Sequence, residues 1–284
     1  MATTAPPAAR DFCERYGLKL PILMAPMAGA SPPALAAAVA RAGGMGGCGA
    51  LMMTPGAIAD WVAAVRAEAD GPVQLNLWIP DPPPLRDAAA EARVRRFLAA
   101  WGPTASTAET PGGVDFAAQC EALLAARPAV VSSIMGLYPP DLVARIKAGG
   151  IAWFATATTV AEAVAAADAG ADAIVAQGAE AGGHRGAFEA ETAETRAVGL
   201  FALLPAVVDA VRVPVVATGG IADARGVAAA LMLGAAAVQI GTGLLRTPEA
   251  GIARVWADAL ADARPEDTTL TRAFSGRAGR SLRT

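Results

Sequence analysis

Eight short apolar segments recur along the 284 residues, and most are followed by a stretch with helical character, which leaves few folds open. They are LPILMAP (20–26), GMGGCGAL (44–51), VQLNLWI (73–79), AVVSSIMG (129–136), IAWFATAT (151–158), ADAIVAQG (171–178), VPVVATGG (213–220) and AAAVQIGT (235–242). Each is read as a continuous apolar run without two-residue alternation, as strands covered on both faces are. Between them lie alanine-rich stretches such as SPPALAAAVARAGG (31–44), which has Ser31 as an expected N-cap, proline in the first turn and a glycine stop. The last four, from TVAEAVAAADAG (159–170) to EAGIARVWADALADA (249–263), are expected to pack closely on the sheet because alanine is small. The pattern predicts an α/β chain: a single-domain (β/α)8 TIM barrel over 1–284, with an insertion after the third strand. That insertion, about 81–128, holds two predicted helices joined by a Gly/Pro/Thr-rich loop. An open doubly wound sheet is the other candidate, but GGMGGCGA (43–50) matches a dinucleotide-binding turn poorly because it runs through a strand-like segment.

Composition narrows the function classes. Hydrophobic residues make up 54% and charged residues 17%, so the chain can bury a large core and is not disordered. A net charge of −3 without Lys/Arg blocks argues against nucleic acid as a partner. The mean hydropathy of +0.41 raises a membrane reading. Residues 20–40 and 226–245 are uncharged over that length, but their prolines and glycines divide each into a short strand and a helix. The amino terminus lacks the apolar core of a signal peptide, and the three cysteines are widely spaced. A cytoplasmic chain without disulfides or a metal site is expected.

Reactive groups of such barrels gather at the C-terminal ends of the strands. The turns ATGGIAD and QIGTGLL follow the seventh and eighth segments, where Gly219, Gly220, Gly241 and Thr242 are expected to bind phosphate through main-chain N–H groups and a short helix N-terminus. The bland alternative is that these glycines only make tight turns. A phosphate site implies a ligand such as FMN. The main chain at Ala25, Pro26 and Met27 would face its ring edge, and the Asn76 and Gln177 amides would meet its heteroatoms. Satisfying local backbone is the other use for those amides. The only histidine, His184, lies in IVAQGAEAGGHRGAF (174–188), beside Gly182 and Gly183. Arg185 is expected to be solvated, Cys48 a small buried hydrophobe, and Trp78 and Tyr138 packing residues or pocket walls.

The segments PILMAPMAGA, AGGMGG, QLNLWIP, AQGAEAGGHRG, ATGGIADARGVAAALMLGAAAVQIGT and TRAFSGR together resemble the nitronate monooxygenase family, from about residue 12 onward. The resemblance implies a TIM-type barrel binding FMN noncovalently, with His184 as the catalytic base. It implies oxidation of nitroalkanes or nitronates by O2 to carbonyl compounds and nitrite. The oligomeric state is left open by the sequence, with a homodimer one option. Neutral imidazole suits proton abstraction near pH 7. Two departures stand out. Some members carry a lysine after the fourth strand, where VSSIMGLYPP has none, so Ser132 or Ser133 takes a different role. Relatives usually continue past TRAFSGRAGRSLRT with a tail beside the flavin.

Three rival readings remain. An NAD(P)H-dependent flavin reductase of quinones or enoyl thioesters would share the AGGH loop. An IMP dehydrogenase-type barrel would need a nucleophilic cysteine after the sixth strand, and none of the three lies there. A flavin-binding remnant without turnover would be coloured and inert.

Overall fold

The structure, a computed structural model, describes residues 5–83, 85–103 and 115–283. Its strands are β1 (Ile22–Met24), β2 (Gly46–Gly49), β3 (Val73–Trp78), β4 (Val130–Ile134), β5 (Ala152–Ala157), β6 (Ala173–Gln177), β7 (Gly183–His184), β8 (Val215–Thr218), β9 (Ala237–Ile240), β10 (Thr268–Thr271) and β11 (Gly279–Leu282). Eight of them pair in parallel in the order β1-β9-β8-β6-β5-β4-β3-β2. A bridge between Leu23 and Met45 closes the ring. This is the (β/α)8 barrel, and all eight predicted segments are its staves. The glycines of β2, which by sequence offered a weak nucleotide-turn match, serve this closing seam. A side chain on Gly47 would strike the Met24 carbonyl, and one on Gly49 would lie 2.6 Å from the Ala28 nitrogen.

The strands differ from the expected uniform apolar runs in a way that matters. Successive side chains point to opposite faces. Outward residues such as Leu75, Leu77, Val131, Trp153, Ala155, Ile174, Ala217 and Val238 pack on the helices. Inward ones change character along the axis. The floor is apolar: Leu23, Val130, Phe154, Val175 and Val216 meet Phe12 from helix Pro7–Tyr16, which the sequence reading passed over. Toward the mouth come Gln74, Asn76, Ser132, Thr156, Gln177, Thr218 and Gln239, all buried. Gln74 Nε2 reaches across the barrel to Gln239 Oε1 at 3.0 Å. Asn76 Nδ2 donates to Ser132 Oγ at 3.0 Å. A buried polar layer is costly unless bonded, and these contacts offset much of that cost.

The helix ring follows the predicted stretches with three corrections. Ser31 does not cap its helix: the N-cap of Pro33–Arg41 is Pro32, and the Ser31 hydroxyl accepts instead from the Met27 N–H at 3.0 Å. Buried Ala163 and Ala166 let helix Val160–Asp168 approach the sheet, as expected, but helix Arg254–Asp262 buries no residue. In the segment after β3, helix Ala88–Leu98 buries nothing, whereas Phe116–Ala126 buries Gln119, Cys120 and Leu123 and so belongs to the ring. Gln119 Nε2 ties it to the carbonyls of Ala50, Leu51 and Met53. Most of the predicted Gly/Pro/Thr-rich loop lies outside the described residues. No helix among the described residues is long and apolar enough to cross a membrane.

Candidate active site

The chain leaves β6 at the barrel mouth and turns through Gly178–Gly182 into β7, which carries His184. β7 does not belong to the barrel. It pairs antiparallel with β11, His184 opposite Gly279, and β11 pairs in turn with β10. The pattern of apolar runs gives no sign of this three-stranded sheet, in which TRAFSGR (271–277) leads from β10 toward β11. It puts Ser275 Oγ 2.6 Å from His184 Nε2. On another side the Trp78 ring, at the end of β3, meets the imidazole edge-on at 4.6 Å between centroids. Burial, and secondarily the positive charge of Arg277, hold the His184 pKa below the ordinary imidazole value. The ring is therefore neutral at pH 7, with one nitrogen able to accept a proton.

Two side chains brace this loop. Gln177 Nε2 donates to the His184 carbonyl at 3.0 Å, and Gln177 Oε1 accepts from the Gly186 N–H at 2.8 Å. The amide assigned to the cofactor by sequence thus has the loop as its partner. Arg185, expected in solvent, is 2% exposed. Its Nη1 donates to the carbonyls of Gly178 (2.6 Å) and Gln177 (3.3 Å). Its Nε and Nη2 are buried without a partner, so the guanidinium is enclosed in the wall but only part of its donor set is used.

The other predicted site residues converge on the same mouth. A Cβ on Gly182 would lie 2.5 Å from Thr242 Oγ1, and one on Gly219 would lie 3.0 Å from the Ala181 nitrogen. Those glycines let the loops after β6, β8 and β9 interlock. Gly219 and Gly220 have φ of 114° and 69°, which disfavour any side chain. Helix Ala224–Met232 is already capped by the Asp223 carboxylate, so its N-terminus is not the free anion site. The short 3₁₀ helix Thr242–Leu244, with Gly241 before it, has no side-chain cap, and its first N–H groups have no partner within the helix. Gly183 has φ of 77° and open space around it. At Ala25–Met27 two N–H groups are taken, Ala25 by Ile240 O at 2.8 Å and Met27 by Ser31. A ring edge there would meet carbonyl oxygens, next to Pro26, which has no N–H.

A flavin mononucleotide fits these residues on two observations. Gln74 Oε1 is buried in the polar layer without a donor, and Gly183, beside His184, has open space where a side chain would stand. The remaining expectations resolve simply. Ser133 Oγ accepts from Trp153 Nε1 in the outer wall, while Ser132 Oγ faces Asn76. Tyr138 is buried, its hydroxyl donating to Ser132 O at 2.9 Å. Cys48 is buried and its pKa is pushed up to about 12, so it is no nucleophile.

A sequence profile of the nitronate monooxygenase family matches residues 12–284. The chain belongs to this family. A nitronate monooxygenase of Paraburkholderia phytofirmans is 41% identical over 280 residues, covering 96% of this chain and 76% of the relative. A crystal structure of nitroalkane oxidase from Streptomyces ansochromogenes superposes with a TM-score of 0.84 at 40% identity, covering 93% of this chain and 77% of that one. FabK from Thermotoga maritima superposes with a TM-score of 0.75 at 30% identity, over 96% of this chain and 74% of its own. Nitronate monooxygenases are flavin-dependent oxidoreductases, and this chain is an enzyme of that class, with nitronate oxidation as its general chemistry.

Proposed function

We propose that the barrel binds FMN and oxidises nitroalkanes and their nitronates with O2, releasing a carbonyl compound and nitrite, with His184 as the base. The observation that carries this reading is the half-buried imidazole held at the mouth between Ser275 and Trp78, above a polar layer with an unpaired acceptor. Gly219, Gly220, Gly241 and Thr242 would hold the phosphate, and Ala25–Met27, Asn76, Gly182 and Gly183 would border the ring. Bound flavin would supply the redox chemistry, accepting an electron from the nitronate and passing it to O2. The chain's own part is proton transfer and positioning. His184 takes the α-proton of a neutral nitroalkane, and the Trp78 ring and the β10–β11 turn exclude water from one side of it. Ser275, hydrogen-bonded to Nε2, fixes the ring's rotamer and is the group a substrate would displace or join.

The test is anaerobic mixing with neutral nitroalkane and, separately, with its nitronate. His184→Asn should abolish flavin bleaching by the neutral form and spare bleaching by the nitronate. Equal bleaching by the neutral form in both proteins would remove His184 as the base. The FabK neighbour favours a second reading, an NAD(P)H-dependent reductase of quinones or enoyl thioesters. Oxidation of NADH or NADPH by the purified protein, with no nitrite from nitroalkanes, would select it.

A further inference from the structure

Arg277 is 8% exposed and forms a junction. Its Nε donates to Asp81 Oδ2 at 2.8 Å, its Nη2 pairs with Asp81 Oδ1, and its Nη1 donates to the Ala187 carbonyl at 3.0 Å. Asp81 lies three residues beyond Trp78, the aromatic wall of the imidazole. Ala187 lies three residues beyond His184 on its own loop. Arg277 itself lies two residues beyond Ser275 and donates its N–H to that hydroxyl at 3.4 Å. The three stretches of chain that touch or carry the imidazole are thus joined through one guanidinium.

We propose that Arg277 is the positioning residue of the base, holding Trp78, Ser275 and the His184 loop in one arrangement and setting a fixed positive charge beside the ring. This rests on the reading of His184 as the base. Arginine suits the task because its planar fork can bind a carboxylate on two atoms while a third donor reaches a carbonyl. The charges around the ring have separate fates. Arg185 is turned into the carbonyls of Gln177 and Gly178, Arg280 on β11 bonds Ala179 O and Thr268 Oγ1, and Arg272 at the end of the β10–β11 turn pairs with Glu194. That leaves the Arg277–Asp81 pair. Arg277 disfavours protonation of His184, while its hydrogen bond to Asp81 holds that carboxyl below the usual range.

A purely structural staple and a charge-setting positioner make different predictions, and the single histidine allows a direct reading. In tag-free protein of residues 1–284 carrying labelled histidine, NMR titration follows one imidazole without flavin or substrate. Arg277→Met should move the His184 midpoint to higher pH, since a cation is lost and Asp81 is left unpaired. Asp81→Asn should move it to lower pH, since the cation is no longer neutralised. Arg277→Lys should keep the midpoint near that of the parent, yet lower kcat/KM for neutral nitroalkane by about tenfold to a hundredfold because the fork geometry is lost. An unchanged midpoint in Arg277→Met, or shifts of the same sign in Arg277→Met and Asp81→Asn, would overturn the proposal. Should Arg277→Met not fold, Asp81→Asn decides, because the Asp81 side chain is half exposed and its removal leaves the core intact. Midpoints that move as stated in a protein that oxidises no nitroalkane would sink the functional reading alone. Unmoved midpoints in an active enzyme would sink this one alone.

Discussion

Gln177 offers the sharpest separation between a cofactor ligand and a loop brace. Its replacement by alanine removes two hydrogen bonds around His184 and leaves two main-chain groups without partners. The Gly186 N–H is buried, so its orphaning costs about 1–3 kcal/mol. The His184 carbonyl is only partly buried and regains water, so about 0.5–1.5 kcal/mol is lost there. The combined cost of about 1.5–4.5 kcal/mol lowers Tm by roughly 3–8 °C in a chain of this length, if unfolding is cooperative. Displacement of the imidazole should lower kcat/KM for neutral nitroalkane by at least about tenfold, while preformed nitronate is affected less. The assay compares both substrates at saturating FMN, beside an FMN titration and a thermal melt. A raised FMN dissociation constant with nitroalkane turnover unchanged at saturation would refute the bracing argument and return Gln177 to the ring.

Three further outcomes are expected. Ser275→Ala, which removes the 2.6 Å partner of Nε2, should shift the pH profile for neutral nitroalkane and lower its kcat/KM more than that of nitronate, as steady-state kinetics on the two substrates would show. Because burial and then Arg277 depress the folded pKa of His184, its neutral form is favoured by folding. Its contribution to stability is present above the ordinary imidazole pKa and is lost as pH falls through the lower folded value. Nitroalkane activity should fall over that same lower window, and a stability or rate loss beginning only above pH 7 would contradict the sign. Phe12→Ala, at the apolar floor 5.9 Å from Phe154, should cost about 3–5 kcal/mol in urea unfolding and leave the kinetics of folded protein unchanged.

The barrel was legible because its signal is local and repeated. Apolar runs recur eight times, most of them followed by an alanine-rich helical stretch, and each repeat is constrained by backbone hydrogen bonding and burial within itself. His184 and the glycine corners were legible for a related reason: a lone imidazole between glycines after a buried strand, and glycine pairs after the last two staves, are features of contiguous sequence. The inward polar layer shows only in the structure: VQLNLW does alternate, but the surrounding apolar composition gives it the look of a continuous apolar run.

Partnership across long separations was not visible. Ser275 sits 91 residues from His184, and Arg277 sits 196 from Asp81. Nothing in either neighbourhood specifies the other, because a hydroxyl or guanidinium in a turn has many partners open to it. Arg185 reads as a surface residue by type, and only its enclosure beside the Gly178 carbonyl shows otherwise. Gln177 illustrates the division. Its sequence position gave an amide at a strand end, with ring and backbone both open as partners, and the fold of β7 back toward the barrel supplied the backbone. Sequence determined the staves and the chemistry available at the mouth. Tertiary structure decided which groups hold the imidazole, since those contacts exist only once the β10–β11 hairpin has closed over the loop after β6.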